Sequence, residues 1–123
     1  SDLGEGYFLQ PTAVKVRSEE STLMREETFG PVCSFIGYRS EEEALARINA
    51  SPYGLAASVW SDNIRQALRY SEAIEAGIVW VNMHTFLDPA VPFGGMKGSG
   101  IGREFGSAFI DDYTELKSVM VRY

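Results

Sequence analysis

The chain has 123 residues, a length that suits one domain with a core of its own and leaves little room for two. A hydrophobic fraction of 45%, with 12% aromatic and 23% charged residues, is that of a folded globular protein and excludes a low-complexity or disordered one. A formal net charge of -6 excludes the clustered cations that a phosphate backbone demands, and a single cysteine, Cys33, excludes an intrachain disulfide. No run approaches about 18 consecutive apolar residues, and the opening SDLGEGYF lacks the basic and apolar regions of a signal peptide. The reading is a cytoplasmic protein in a reducing compartment. The sequence starts without Met and passes almost at once into strand character, which suggests a piece of a longer protein.

In chain order, residues 7–16 (YFLQPTAVKV) are β-branched and aromatic and predict a strand interrupted at Pro11. Residues 18–27 are polar and acidic, with Ser21 and Thr22 placed to cap a short helical turn that Phe29-Gly30-Pro31 ends. Residues 32–38 (VCSFIGY) return to strand. Ser40 followed by Glu41, Glu42 and Glu43 starts a helix with a hydroxyl cap and acids where the helix dipole favours them, and Pro52 stops it. Residues 55–60 (LAASVW) predict a short buried strand. Ser61 or Asp62 caps the next helix, whose apolar face is Ile64, Ala67, Leu68 and Ile74 and whose end is marked by Gly77. Residues 78–83 (IVWVNM) predict a central strand buried on both faces. A Gly- and Pro-rich segment, 84–102, follows; at about 19 residues it is long for a loop in a compact domain and is expected to be functional. Residues 103–114 space Phe105, Phe109 and Tyr113 along one helical face, and 116–123 (LKSVMVRY) alternate as a final strand. Strands alternating with helices imply an α/β fold with a largely parallel sheet and flanking helices.

Read as residues alone, most candidate sites have plain explanations. Glu27 is a solvated acid in an acidic run, Phe29 a core aromatic, and Phe93 and Leu87 ordinary core packing. Gly98, Gly100 and Gly102 are spaced G-x-G-x-G rather than G-x-G-x-x-G, with no strand leading directly into them, which argues for permitted turns over a phosphate cradle. Cys33 lies inside a strand with no neighbour to stabilise a thiolate and reads as a buried structural thiol, not a nucleophile. His84 is the only histidine, so neither a histidine-based metal site nor a Ser-His triad has material. The adjacent acids Asp111-Asp112 and Glu26-Glu27 read as solvated.

Three segments change the weight of these readings: EETFGPV (26–32), PFGGMKGSGIGRE (92–104) and YTELK (113–117). In wording, order and spacing they resemble the aldehyde dehydrogenase superfamily, and GYFLQPT, YGLAASVW and AGIVWVN match as connecting pieces, so that the resemblance covers essentially the whole chain. It implies the C-terminal part of an aldehyde dehydrogenase catalytic domain over 1–115 and a terminal oligomerisation strand over 116–123. It also implies NAD or NADP as cofactor. The glutamate before x-Phe-Gly-Pro, here Glu27, then accepts hydrogen bonds from the nicotinamide ribose hydroxyls, a task suited to an ionised carboxylate. Phe29 packs by the nicotinamide ring. Phe93 and Leu87 line the substrate tunnel, whose walls should be mostly apolar; His84 and Thr85 share a stretch that tunes substrate choice. The implied reaction is oxidation of an aldehyde to a carboxylic acid through a cysteine thioester. The nucleophilic cysteine, the general base and the dinucleotide-binding domain all precede Ser1, so no residue here is assigned as catalytic or metal-binding and the isolated chain is expected to be inactive. The implied partners are a small aldehyde, the remainder of the parent enzyme and further copies in a homo-dimer or tetramer, with no nucleic acid and no membrane.

HTFLDPAVPFGG and DDYTELK look like bacterial enzymes acting on aromatic or arylacetic aldehydes such as phenylacetaldehyde. Two alternatives stand beside this reading: a non-catalytic assembly or binding module of the same fold, and a CoA-acylating relative.

Overall fold

Parallel strands cannot be joined by a tight turn, and the chain makes two parallel pairs, each with a helix in its crossover. The computed structural model describes residues 4–123. These divide into two compact units, one ending at Arg47 and one spanning Ile48–Tyr123.

In the first unit β1 (Thr12–Lys15) pairs in parallel with β2 (Val32–Phe35), in the register Thr12↔Val32 to Lys15↔Phe35. The strand predicted from residue 7 starts only after Pro11, because proline has no N–H for a ladder; the first ladder donor is the Thr12 N–H, 2.8 Å from the Pro31 carbonyl. The crossover holds α1 (Thr22–Arg25), with Ser21 at its N-cap as expected. Its hydroxyl does not cap, however, and Ser21 Oγ is buried without a hydrogen-bond partner among the described residues. Ser34 Oγ donates to the Leu23 carbonyl at 3.4 Å, holding α1 to β2. Next, α2 (Glu41–Asn49) begins as predicted, with the Glu43 N–H donating to Ser40 Oγ at 3.2 Å and the Glu43 carboxylate accepting from the Arg39 N–H at 2.6 Å. Arg47 bridges Glu43 and Glu19, both at 2.7 Å, and donates to the Gly37 carbonyl.

In the second unit β4 (Ala56–Val59) and β5 (Ile78–Val81) run parallel, joined through α3 (Ile64–Ala73), while β3 (Tyr53–Gly54) pairs antiparallel with β6 (Met96–Lys97). The cap of α3 is Asn63 rather than Ser61 or Asp62: its side chain accepts from the Gln66 N–H at 3.2 Å. The helix ends before Gly77, at Ala73, whose orphan carbonyl accepts from Asn49 Nδ2 at 2.8 Å. Of its predicted apolar face, Ala67 and Ile74 are buried and Ile64 and Leu68 are exposed, because a pair of strands covers only part of the stripe. For the same reason β5 is not central: it bonds β4 alone, and only Trp80 along it is buried.

Among the described residues the strands form three two-stranded sheets rather than one continuous sheet, and two of the three pairs are parallel. The helix predicted over 103–114 is reduced to α4 (Phe109–Tyr113). Phe105 and Gly106 have φ of 62° and 63°, which a right-handed helix cannot accept, and Glu104 forms a β-bridge with Phe93 instead. Residues 116–123 form no strand: their alternation is of the right kind, but a strand needs a ladder, and none of the described residues pairs with them. Among the described residues the buried hydrophobic ones are Ala44 in the first unit and Ala67, Ile74 and Trp80 in the second, a smaller core than the length suggested. No described helix is long and apolar enough to cross a membrane.

A Cβ built on Gly77 would overlap the Gly94 carbonyl oxygen. Gly77→Ala is expected to destabilise the protein by about 3–5 kcal/mol, at the upper end for one substitution, whereas Asn63→Ala should cost only about 1 kcal/mol as a lost cap. Urea denaturation of both variants measures the difference.

Candidate functional site

Glu27 and Phe29 lie on the connection between α1 and β2. That connection is pinned at both ends, by the Glu26 N–H on the Thr22 carbonyl at 2.9 Å and by the Thr12 N–H on the Pro31 carbonyl at 2.8 Å. Between these points Glu27 is exposed and makes no hydrogen bond or ion pair among the described residues. Phe29 is 97% exposed, so the expectation of a core aromatic fails. A bare phenyl ring on a fixed connection is available to something other than its own unit.

Cys33 also departs from expectation, being exposed rather than buried. It pairs with Ala13, and both residues are exposed. The groove there is lined by Pro11, Thr12, Ala13, Gly30, Pro31, Val32, Cys33 and Phe35, which include no acid or base to activate a thiol.

In the second unit the chain leaves the carboxyl end of β5 at Asn82, which adopts φ 54°. Its N–H donates to the Val59 carbonyl at 2.8 Å; its side chain accepts from the Ser61 N–H at 2.8 Å and donates to the Ser61 carbonyl at 3.0 Å. Asparagine tolerates the left-handed region better than most residues, and here it closes the β4–β5 ladder. Trp80 Nε1 then donates to the Phe86 carbonyl at 2.8 Å, and the His84 ring stands edge-on to the indole at 5.1 Å. Leu87 follows, 45% exposed. Phe93 is half-buried and exchanges both backbone hydrogen bonds with Glu104 at 2.7 Å. Phe93 lines a cleft with Leu55, Arg103 and Tyr113; Leu87 is not part of that lining. Arg103 Nη1 donates to the carbonyls of Gly95 and Gly102, both at 2.7 Å, and so holds the glycine run in shape.

Sequence reasoning missed Asn82, Trp80 and Arg103 as site-shaping residues. Only Asn82 carried a legible signal, an asparagine at the end of a β-prone run. No group of three or more His, Cys, Asp or Glu among the described residues is arranged to hold a metal ion.

Parallel strand pairs with helical crossovers define an α/β protein, and the candidate residues of each unit lie on its connections. The model of the aldehyde dehydrogenase family matches residues 1–119, and the chain belongs to that family. It is 46% identical over 120 residues to a 2-hydroxymuconic semialdehyde dehydrogenase of Pseudomonas putida, covering 98% of this chain and 25% of that protein. Against a phenylacetaldehyde dehydrogenase of Pseudomonas fluorescens the identity is 42%, covering 97% and 24%. Among solved structures, the NAD+ complex of an aldehyde dehydrogenase from Bacillus cereus superposes with a TM-score of 0.88 at 46% identity, covering 97% of this chain and 24% of that one. The Mycobacterium tuberculosis aldehyde dehydrogenase with NAD+ gives 0.87 at 43%, covering 95% and 24%. The chain thus spans about a quarter of the length of these relatives.

The Trp80 indole bond is the tether between β5 and the loop that bears Leu87. Trp80→Phe keeps the ring in place and removes about 0.5–1.5 kcal/mol of hydrogen bonding. Amide exchange over residues 83–91 should accelerate while that of β4 stays unchanged; equal exchange in both proteins would show that the tether does not hold the loop.

Proposed function

We propose that this chain is the C-terminal part, over 1–115, of the catalytic domain of an enzyme that oxidises an aldehyde to a carboxylic acid with NAD or NADP. In this reading residues 116–123 are the segment through which subunits of a homo-dimer or tetramer pair. The observation that carries the proposal is the free Glu27 carboxylate beside the bare Phe29 ring on a connection fixed at both ends.

The residues fit the cofactor. A carboxylate with both oxygens unengaged can accept from the vicinal hydroxyls of a ribose, and charge-assisted hydrogen bonds are about twice as strong as neutral ones. Phe29 offers the apolar face that confines a nicotinamide ring. A bound dinucleotide would supply the hydride acceptor for this oxidation. This chain's own part is positional. Glu27 fixes the ribose and Phe29 limits where the ring can lie. Phe93 and Leu87 supply apolar wall to an aldehyde, which we assign to the aromatic or arylacetic class; a relative named for phenylacetaldehyde supports that assignment. The nucleophilic cysteine and the general base come from residues outside this chain, since Cys33 stands in an apolar groove without a base. A single unpaired cysteine accords with a reducing, cytoplasmic setting.

Glu27→Gln keeps the side chain's shape and removes its charge. In the full-length enzyme it should lower kcat/KM by about 10- to 100-fold, the value of about 1.5–3 kcal/mol for hydrogen bonds to a charged group. Steady-state kinetics over a panel of aliphatic and aromatic aldehydes measures it, and unchanged kinetics would remove Glu27 from the cofactor site.

A further inference from the structure

A closed polar clasp stands at the end of α2, apart from the candidate site residues. Lys97 Nζ donates to the Asn49 carbonyl at 2.7 Å, to the Ser51 carbonyl at 3.4 Å and to Glu75 Oε2 at 2.7 Å. Asn49 closes the ring by donating from Nδ2 to the Ala73 carbonyl at 2.8 Å and accepting the Glu75 N–H on Oδ1 at 2.9 Å. An ammonium group suits this place, where the last carbonyls of a helix lack partners and carry partial negative charge. Lys97 reaches it from a backbone with φ 56°, a geometry for which glycine is the ordinary residue.

The clasp bears on Phe93 through a short, stiff path. Phe93 is anchored to Glu104. The next residue, Gly94, rests its carbonyl on Gly77, with no room for a Cβ. The Gly77 N–H is bonded to the Gly54 carbonyl at 3.0 Å, and Gly54 pairs with Met96. Lys97 ends this stretch, so its ammonium fixes the far end of a segment whose near end is the Phe93 ring.

We propose that Lys97 is a positioning residue that sets the substrate wall: the clasp with Asn49, Ser51 and Glu75 holds β6 so that Phe93 is presented to the aldehyde. The inference rests on the reading that Phe93 lines the substrate site. It assigns to Lys97 control over aldehyde affinity, with no part in cofactor binding.

The test uses the full-length enzyme with Lys97→Gly, Phe93→Ala and the double variant. Glycine accepts the local backbone geometry, so K97G deletes the clasp without straining the turn; Glu75→Gln weakens the same clasp more gently. K97G should raise the KM for an aromatic aldehyde about tenfold, as small displacements of a positioned group do. Its kcat and its KM for NAD should stay within about twofold. E75Q should shift the aldehyde KM in the same direction by less, and in the F93A background K97G should add nothing. A loss of active enzyme with unchanged aldehyde KM in both K97G and E75Q would show a merely structural clasp and overturn the proposal. If F93A alters KM and K97G does not, only the clasp fails; if F93A itself leaves KM unchanged, the assignment of Phe93 falls, and the proposal with it.

Discussion

No side chain fits between Gly77 and Gly94, and the arrangement of the larger unit depends on that close approach of two backbones. A third glycine extends it: a Cβ at Gly54 would lie 2.7 Å from the Glu75 carbonyl oxygen and 2.9 Å from Met96 Cγ. The turn that follows α3, the strand β3 and the segment entering β6 are thereby layered at distances only glycine allows. The consequence reaches the candidate site directly. The loop that leaves β5 must return to the turn just before β5, so the residue preceding Gly94, Phe93, is set by backbone packing rather than by its own ring.

The smaller unit places Glu27 and Phe29 by a different device. A parallel pair obliges the chain to travel back along the outside of the sheet before the second strand can start. The α1 crossover does this, and its last stretch is drawn between a helix end and a ladder bond, which leaves the Glu27 and Phe29 side chains exposed and without hydrogen-bond partners among the described residues. Phe93 is thus held by close packing, and Glu27 and Phe29 by a taut connection. A substitution that relaxes either device would displace these side chains without touching them.

Much of this was legible in the sequence where the signal is local. The cap and acidic first turn at Ser40–Glu43 gave α2, and the β-prone runs gave β2, β4 and β5 to within a few residues. Signals that depend on a distant partner failed. Ser61, Asp62 and Asn63 are all capping types, and only the register of Gln66 decides among them. The spacing of Phe105, Phe109 and Tyr113 is helical, yet Phe105 takes a left-handed φ because Glu104 is committed to Phe93. A two-residue strand such as β6 has no periodicity to read at all. Residues 116–123 alternate convincingly, and alternation alone cannot supply the neighbour that makes a strand. Among the candidate site residues, Glu27, Phe29 and Phe93 were named from motif wording alone, while Arg103 and Lys97 bond to carbonyls whose nearness no sequence pattern records.

With few side chains fully buried, apolar packing cannot alone fix the loops of the larger unit, and two asparagines take a disproportionate share. Asn82 satisfies both backbone groups of Ser61, and Asn49 both a donor and an acceptor at the end of α3. Each such bond contributes about 0.5–1.5 kcal/mol net, comparable to burying a methylene or two. Unlike apolar contact, however, it is directional, and an amide that both donates and accepts permits one orientation of the chain. At Asn82 that orientation ends the β4–β5 ladder and sends the backbone into the loop of Leu87; at Asn49 it sets the carbonyl on which Lys97 closes. In a unit with so small a core, the course of these loops is set by directed bonds, and hydrophobic burial supplies only the layer they are mounted on.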